Sequence, residues 1–350
     1  MNWQLVEPPG QRQRALPDSG FTEQLPRVAR STARRIVMQT RARSENDLAT
    51  LADGLLRPKA KISPKYFYDA VGCELFAGIC RLPEYYLTRT EAQIFETHQR
   101  QIAAQLPVGP QWVDLGCADG SKSQPWLAIS EARRFVGVDI AHASLVRAVD
   151  TMAWKFPGTE CVGVMADLSR PIRLHSLLGE HPTWPRTFFY PGSSLGNFTP
   201  GEASILLRGI RGHLADSDGL LVGIDLVKDP SQLEAAYNDS LGLTAAFNLN
   251  VLRVANRLLN ATFDPDAFEH CARFVMPASR IEMRLRARTN QAVAIGSTIR
   301  QFAAGETILT EYSHKYTIDA FVALLRSAGF SRHRLWTDER AWFGVFLAQP

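Results

Sequence analysis

From residue 111 onward, short apolar runs alternate with longer stretches in which apolar residues recur every three or four positions. The runs at 111–116, 134–140, 161–166, 187–192 and 219–227 read as strands. Helical patterns fill the gaps at 122–130, 142–154 and 200–214, the last opened by Thr199 as a cap with Pro200 in its first turn. This alternation predicts an α/β fold with parallel strands covered by helices. The rhythm changes after Val227. Residues 231–260 and 264–274 read as helices, and 280–288, 291–302 and 307–316 alternate like antiparallel strands. It then returns, with an amphipathic helix at 317–329 and closing strands within 334–348. Residues 228–315 therefore read as an insertion into the sheet. Ahead of 111, helical patterns at 28–40, at 45–56 (with Ser44 as a cap) and at 91–106 flank an aromatic stretch at 62–90.

The block 111–140 carries the clearest chemistry. Gln111-Trp-Val-Asp-Leu-Gly116 is a strand, Cys117-Ala-Asp-Gly120-Ser-Lys122 a tight turn opening a helix, and Arg134-Phe-Val-Gly-Val-Asp139 a second strand ending in an acid. Glycine at 116 and 120 lets backbone N–H groups approach a ligand, and an acid about twenty residues beyond the turn suits a ribose diol. The block reads as a nucleoside-cofactor site. Dinucleotide enzymes place the middle glycine of Gly-x-Gly-x-x-Gly where this chain has Ala118, and Asp114 and Asp119 would repel a diphosphate. The two acids suit a cationic ligand end, such as the sulfonium and ammonium of S-adenosylmethionine. A dinucleotide site and a plain strand-turn-helix stay open at this level.

Composition narrows the class. Of 350 residues 45% are hydrophobic and 21% charged, as in an ordinary folded protein, and no apolar run reaches the roughly 18 residues of a membrane span. The net charge of +4 is concentrated in residues 1–43, where eight arginines face Glu7, Asp18 and Glu23. The remainder is near neutral, which argues against a nucleic-acid enzyme. Residues 1–30, with Pro8, Pro9, Pro17 and Pro26, read as a solvated leader lacking the apolar middle of a secretory signal. Five cysteines without a Cys-x-x-Cys pair fit reduced thiols in a cytoplasm, and the histidines lack metal-ligand spacing, so no metal is expected.

Several separate segments match one family. These are Phe67-Tyr-Asp-Ala-Val-Gly72, Leu82-Pro-Glu-Tyr-Tyr-Leu-Thr-Arg89, Gly192-Ser-Ser-Leu-Gly-Asn197, Asp225-Leu-Val-Lys-Asp229, Tyr237-Asn-Asp239, Thr244-Ala-Ala-Phe-Asn248, Ile281-Glu-Met283 and Leu309-Thr-Glu311-Tyr-Ser313. On them, the chain over roughly 60–350 resembles the bacterial histidine Nα-methyltransferases of ergothioneine biosynthesis, within the class I S-adenosylmethionine-dependent methyltransferases. The resemblance implies a class I methyltransferase sheet, Rossmann-like, with an inserted plus N-terminal α+β substrate-binding lobe. It implies S-adenosylmethionine as methyl donor and conversion of L-histidine to its Nα-trimethyl betaine, hercynine, in three steps. The expected division is 31–89 with 228–315 for substrate and 90–227 with 316–350 for cofactor. Tyr68, Gly116, Lys122, Asp139 and the pair Asp167-Leu168 match cofactor positions; Leu168 stands where the family usually has phenylalanine. Tyr85, Asn197, Tyr237, Met283, Glu311 and Ser313 match amino-acid positions, with Tyr68 and Asn197 at the reacting amine. A small-molecule substrate and a cytoplasmic monomer are expected, without nucleic-acid or membrane partners. The same chemistry on another aromatic amino acid or amine, a nicotinamide oxidoreductase and a non-catalytic relative are the rival readings.

The residue types suit that chemistry. Methyl transfer is an in-line displacement that needs a neutral amine about 3 Å from the methyl. Glu311 and Ser313, two apart on a strand, share a face. A carboxylate takes an imidazole N–H, and a hydroxyl such as Ser313 or Tyr85 serves the other nitrogen. Phe67, Tyr68, Tyr85 and Phe247 are candidates to face a quaternary ammonium product. By type alone the tyrosines and Met283 also read as packing residues, Asn197 as a turn residue, and His314 and Lys315 as surface.

Overall fold

A computed structural model describes residues 34–38 and 45–350; the expected leader lies outside the described residues. Strand β1 (Arg34–Met38) and helices α1 (Glu45–Leu56), α2 (Ala70–Ile79) and α3 (Tyr86–Ala103) come first. Then β2 (Gln111–Leu115), α4 (Gln124–Ile129), β3 (Arg134–Asp139), α5 (His142–Lys155), β4 (Glu160–Met165), α6 (His175–Leu178), β5 (Arg186–Tyr190), α7 (Pro200–Arg211) and β6 (Gly219–Asp225) alternate. The inserted part holds α8 (Pro230–Ala235), α9 (Leu243–Leu259), β7 (Phe268–Val275), β8 (Arg280–Ala287), β9 (Gln291–Ile295), β10 (Thr298–Phe302) and β11 (Thr307–His314). Helix α10 (Ile318–Ser327) and strands β12 (Arg332–Thr337) and β13 (Phe343–Gln349) close the chain.

The large sheet runs β1-β4-β3-β2-β5-β6-β13-β12, parallel except for β13. It is the class I methyltransferase sheet, extended at one edge by β1. Its central strands are buried on both faces, so they read as continuous apolar runs. Alternate residues feed two cores. Trp112 and Phe135 join one side, while Val113, Leu115, Val136 and Val138 join the other with Leu207 of α7 and Phe321 of α10. Helix α7 starts with a capping box, in which Thr199 and Glu202 satisfy each other's backbone amides.

Four readings of local pattern are corrected. Within the helical pattern at 28–40, the described residues 34–38 form strand β1, paired in register from Arg34 with Cys161 to Met38 with Met165. A free edge on β4 offers that backbone its hydrogen bonds, which a local pattern cannot reveal. The pattern at 264–274 becomes a 3-10 turn at Pro265–Ala267 followed by β7, because Phe268–Val275 pairs along its full length with β8. The helix at 231–260 ends at Ala235 and resumes as α9 after Gly242 (φ +71°), where Asp239 accepts the amides of Leu243 and Thr244. Helix α3 begins at Tyr86, five residues before the predicted start at 91.

The second sheet, β11-β8-β7, and the hairpin β9–β10 belong to the insertion. Phe247 of α9 stacks on Phe67 (ring centroids 4.5 Å apart) and packs near Phe76 of α2, joining the insertion to the aromatic stretch before β2. Among the described residues, no helix is long and apolar enough to cross a membrane.

Candidate functional site

A cleft of about 1100 Å³ lies over the carboxyl ends of β2, β3 and β4. Tyr68, Gly116, Lys122, Asp139, Asp167 and Leu168, the six expected cofactor positions, all line it. Gly116 has φ +71°, and a Cβ there would meet nothing within 4 Å, so its bare face is open to a ligand. Asp139 ends β3 and accepts the amides of Ala118 (2.9 Å) and Ala141 (2.8 Å). Burial raises its pKa, and these amides offset part of the rise. Asp167 is held by Ser169 and by Lys65 (3.1 Å); burial works against its charge, yet these partners keep its pKa below the usual carboxylate value.

Asp114 is buried, and its Oδ2 accepts the Ser123 hydroxyl at 2.6 Å, which in turn accepts the Trp112 indole N–H at 2.8 Å. Its Oδ1 has no hydrogen-bond partner among the described residues, and burial pushes the group up to about 7. Lys122 is exposed to the cleft and donates to Glu91 at 2.6 Å; Glu91 is buried, and its other oxygen accepts the Gly192 amide at 2.6 Å. An open glycine face, an acid at the tip of β3 and an orphaned carboxylate oxygen fit an adenosyl cofactor with a cationic end.

Beside the cleft lies a small cavity of about 50 Å³, and the two share Tyr68, Tyr85, Asn197 and Glu311 among their walls. Tyr237, Met283 and Ser313 complete the expected amino-acid positions, so all of them meet in one place. Phe76 and Phe247 add aromatic walls; Tyr68 meets their edges at 5.9 and 6.0 Å. Phe67 does not line the cavity. It stacks behind Phe247, and Phe76, which sequence reasoning missed, takes its place. The apolar run Leu75-Phe76-Ala77 was the available signal.

Glu311 follows a bulge in β11 and lies opposite Met283 of β8. It is only 8% exposed, and no hydrogen bond or ion pair to its side chain occurs among the described residues. Burial pushes it up to about 7, against a weaker opposing pull from Lys315. Asn197 ends a 3-10 turn, Ser194–Asn197, and its side chain likewise has no protein partner among the described residues. The preceding Gly196 lets this turn approach β11, since a Cβ there would sit 2.8 Å from the His314 carbonyl oxygen.

His314 and Lys315 are not surface residues. His314 is 5% exposed, and burial pushes it down to about 4. Lys315 is 3% exposed, with its Nζ 2.7 Å from Asp225 Oδ2, 2.8 Å from Ser313 Oγ and 3.0 Å from the Tyr237 hydroxyl. Tyr86 donates to the same Asp225, and Lys228 approaches it at 2.5 Å. Burial works against the Lys315 charge, but Asp225 outweighs it and raises its pKa. The signal was the spacing Glu311, Ser313, Lys315, which continues one strand face. Among the described residues, no group of three or more His, Cys, Asp or Glu could hold a metal ion.

The family model for histidine-specific, S-adenosylmethionine-dependent methyltransferases matches residues 47–350. The histidine N-alpha-methyltransferase of Mycolicibacterium smegmatis is 42% identical over 301 residues, which cover 84% of this chain and 92% of that protein. The protein of the same description from Mycobacterium tuberculosis is 41% identical over 303 residues, with the same coverage. Ergothioneine biosynthesis protein 1 of Neurospora crassa is 28% identical over 324 residues, covering 84% of this chain and 34% of that protein.

Proposed function

This chain belongs to the histidine-specific, S-adenosylmethionine-dependent methyltransferase family, and from that membership we propose that it methylates the α-amine of L-histidine, in three successive steps, to hercynine in ergothioneine biosynthesis. The observation that carries the substrate reading is Glu311: a buried acid with no protein partner among the described residues, two positions from Ser313, in a cavity that shares walls with the cofactor cleft. Such a group is costly to bury unpaired and is satisfied by a ligand N–H. An imidazole supplies one, and its second nitrogen meets the hydroxyl at Ser313.

In this reading Tyr68, Gly116, Lys122, Asp139, Asp167 and Leu168 hold S-adenosylmethionine, which supplies an electrophilic methyl when bound. Asn197 and Tyr237 bind the substrate carboxylate, while Tyr85 and Met283 shape the pocket around the ring. Tyr68 and Asn197 orient the amine, which must shed its proton before attack because an α-amine is mostly protonated near neutral pH. Neither side chain is a strong base; their work is alignment. The faces of Tyr68, Phe76, Tyr85 and Phe247 favour the cation left after the last transfer. We assign segments 31–89 and 228–315, apart from β1, chiefly to the substrate and 90–227 with 316–350 chiefly to the cofactor, with Tyr68 and Asn197 crossing that division. We place the protein in the cytoplasm, as the monomer expected from its sequence.

The test is mass spectrometry of an amino-acid panel incubated with the pure protein and S-adenosylmethionine. Histidine is expected to gain three methylene increments while tryptophan and phenylalanine do not. Methylation of another amino acid with histidine untouched would overturn the substrate reading. Binding of S-adenosylhomocysteine without binding of NAD separates it from an oxidoreductase.

A further inference from the structure

Lys315 has three N–H groups and three acceptors: Asp225 Oδ2 at 2.7 Å, Ser313 Oγ at 2.8 Å and the Tyr237 oxygen at 3.0 Å. Its donors are therefore all spent inside the protein. The Ser313 and Tyr237 oxygens are also 2.7 Å from each other, so one of their two hydroxyl protons lies between them. The ammonium donates to both oxygens and cannot accept the other proton. That proton alone is left for the cavity, which both side chains line.

We propose that Lys315 is a positioning residue that turns the Ser313–Tyr237 pair into a single outward hydrogen-bond donor, so that two hydroxyls read the substrate as one unit. The proposal rests on the histidine reading and deepens it. When Tyr237 donates to the substrate carboxylate, the Ser313 proton goes to Tyr237, and Ser313 offers the ring only a lone pair. When Ser313 donates to the ring nitrogen, its own lone pairs are taken by Lys315 and Tyr237. The pair therefore donates to one end of the amino acid at a time, from Tyr237 to the carboxylate or from Ser313 to the ring. Asp225, shared with Tyr86 and Lys228, anchors the ammonium, whose charge is retained because Asp225 outweighs the effect of burial.

The test is a set of KM measurements for histidine at saturating S-adenosylmethionine. In Ser313→Ala or Tyr237→Phe the surviving hydroxyl keeps an outward proton, so each single change is partly compensated. The double variant should raise KM about tenfold beyond the product of the two single effects. Agreement with that product within about twofold would overturn the proposal. Lys315→Met uncovers Asp225, and the hydroxyl proton can then turn inward. We expect KM to rise about tenfold with a much smaller change in kcat and unchanged S-adenosylhomocysteine affinity. Adding both hydroxyl changes to Lys315→Met should cost no more than about twofold further. A wild-type KM in Lys315→Met, or the full extra loss in that background, would also overturn it. If Lys315→Met does not fold, the hydroxyl cycle decides alone. A wild-type protein that leaves histidine unmethylated sinks the substrate reading itself, an outcome distinct from a failed cycle.

Discussion

Glu91 holds the Lys122 ammonium at 2.6 Å on one carboxylate oxygen and the Gly192 amide at 2.6 Å on the other. One buried acid on α3 thereby ties the turn after β2, which lines the cofactor cleft, to the loop after β5, which lines both cleft and cavity. Glu91→Ala orphans the amide and leaves Lys122 without its counter-ion. The lysine is 39% exposed, so solvent screens the ionic part, and the expected loss of about 1–3 kcal/mol comes mainly from the unpaired amide. Denaturant unfolding measures it. Calorimetry should show S-adenosylhomocysteine binding weakened in parallel, and unchanged binding would detach this pair from the cleft.

Glu311→Ala should separate the two halves of the site. Removing a polar group built to meet a substrate N–H costs selectivity far beyond a change of size. The expected result is a fall of at least about a hundredfold in kcat/KM for histidine, with S-adenosylhomocysteine affinity retained. Unaltered kinetics would remove the imidazole assignment.

Burial gives Glu311 a pH signature. Its folded pKa is pushed up to about 7 from an ordinary 4.5. Between those values the folded chain keeps a proton that the unfolded chain has lost, so stability falls as pH rises through that window and levels off above it. The group's share is at most about 3 kcal/mol, and Asp114, pushed to about 7, acts in the same sense. Glu311→Gln should match the wild type near pH 4.5 and become the more stable protein by pH 8. Parallel denaturation midpoints across that range would contradict the assignment.

Two glycines should fail differently. Gly116→Ala strains a left-handed backbone without a clash, so about 1 kcal/mol of stability is lost while the added methyl enters the cleft and blocks cofactor binding. Gly196→Ala drives a methyl against the His314 carbonyl and pushes the turn off β11. It should cost about 1–3 kcal/mol and displace Asn197, raising KM for histidine while S-adenosylhomocysteine still binds. Equal effects of both changes on cofactor affinity would be evidence against this division.

Much of this could be read along the chain because it is set by near neighbours. Strand-helix alternation from 111, the left-handed turn at Gly116, the acid at the tip of β3 and the Thr199 cap depend on side chains only a few residues apart or on a fixed strand period. The same period put Glu311 and Ser313 on one face. Matches to a single family then drew Tyr68, Asn197 and Tyr237 into the same pocket, which spacing alone could not do.

What only the tertiary structure decided depends on distant partners. Arg34–Met38 is a strand because β4 has a free edge, and Phe268–Val275 is a strand because β8 lies beside it. Lys315 looks like a surface residue until the end of β6 brings Asp225 to 2.7 Å, since a buried ammonium is tolerable only with a counter-ion and acceptors in place. Phe76 reaches the cavity while Phe67 backs Phe247, an exchange set by how α2 and α9 pack. Local periodicity determines which face a side chain takes; the charge or ring it meets there is fixed by chain that folds back from far away.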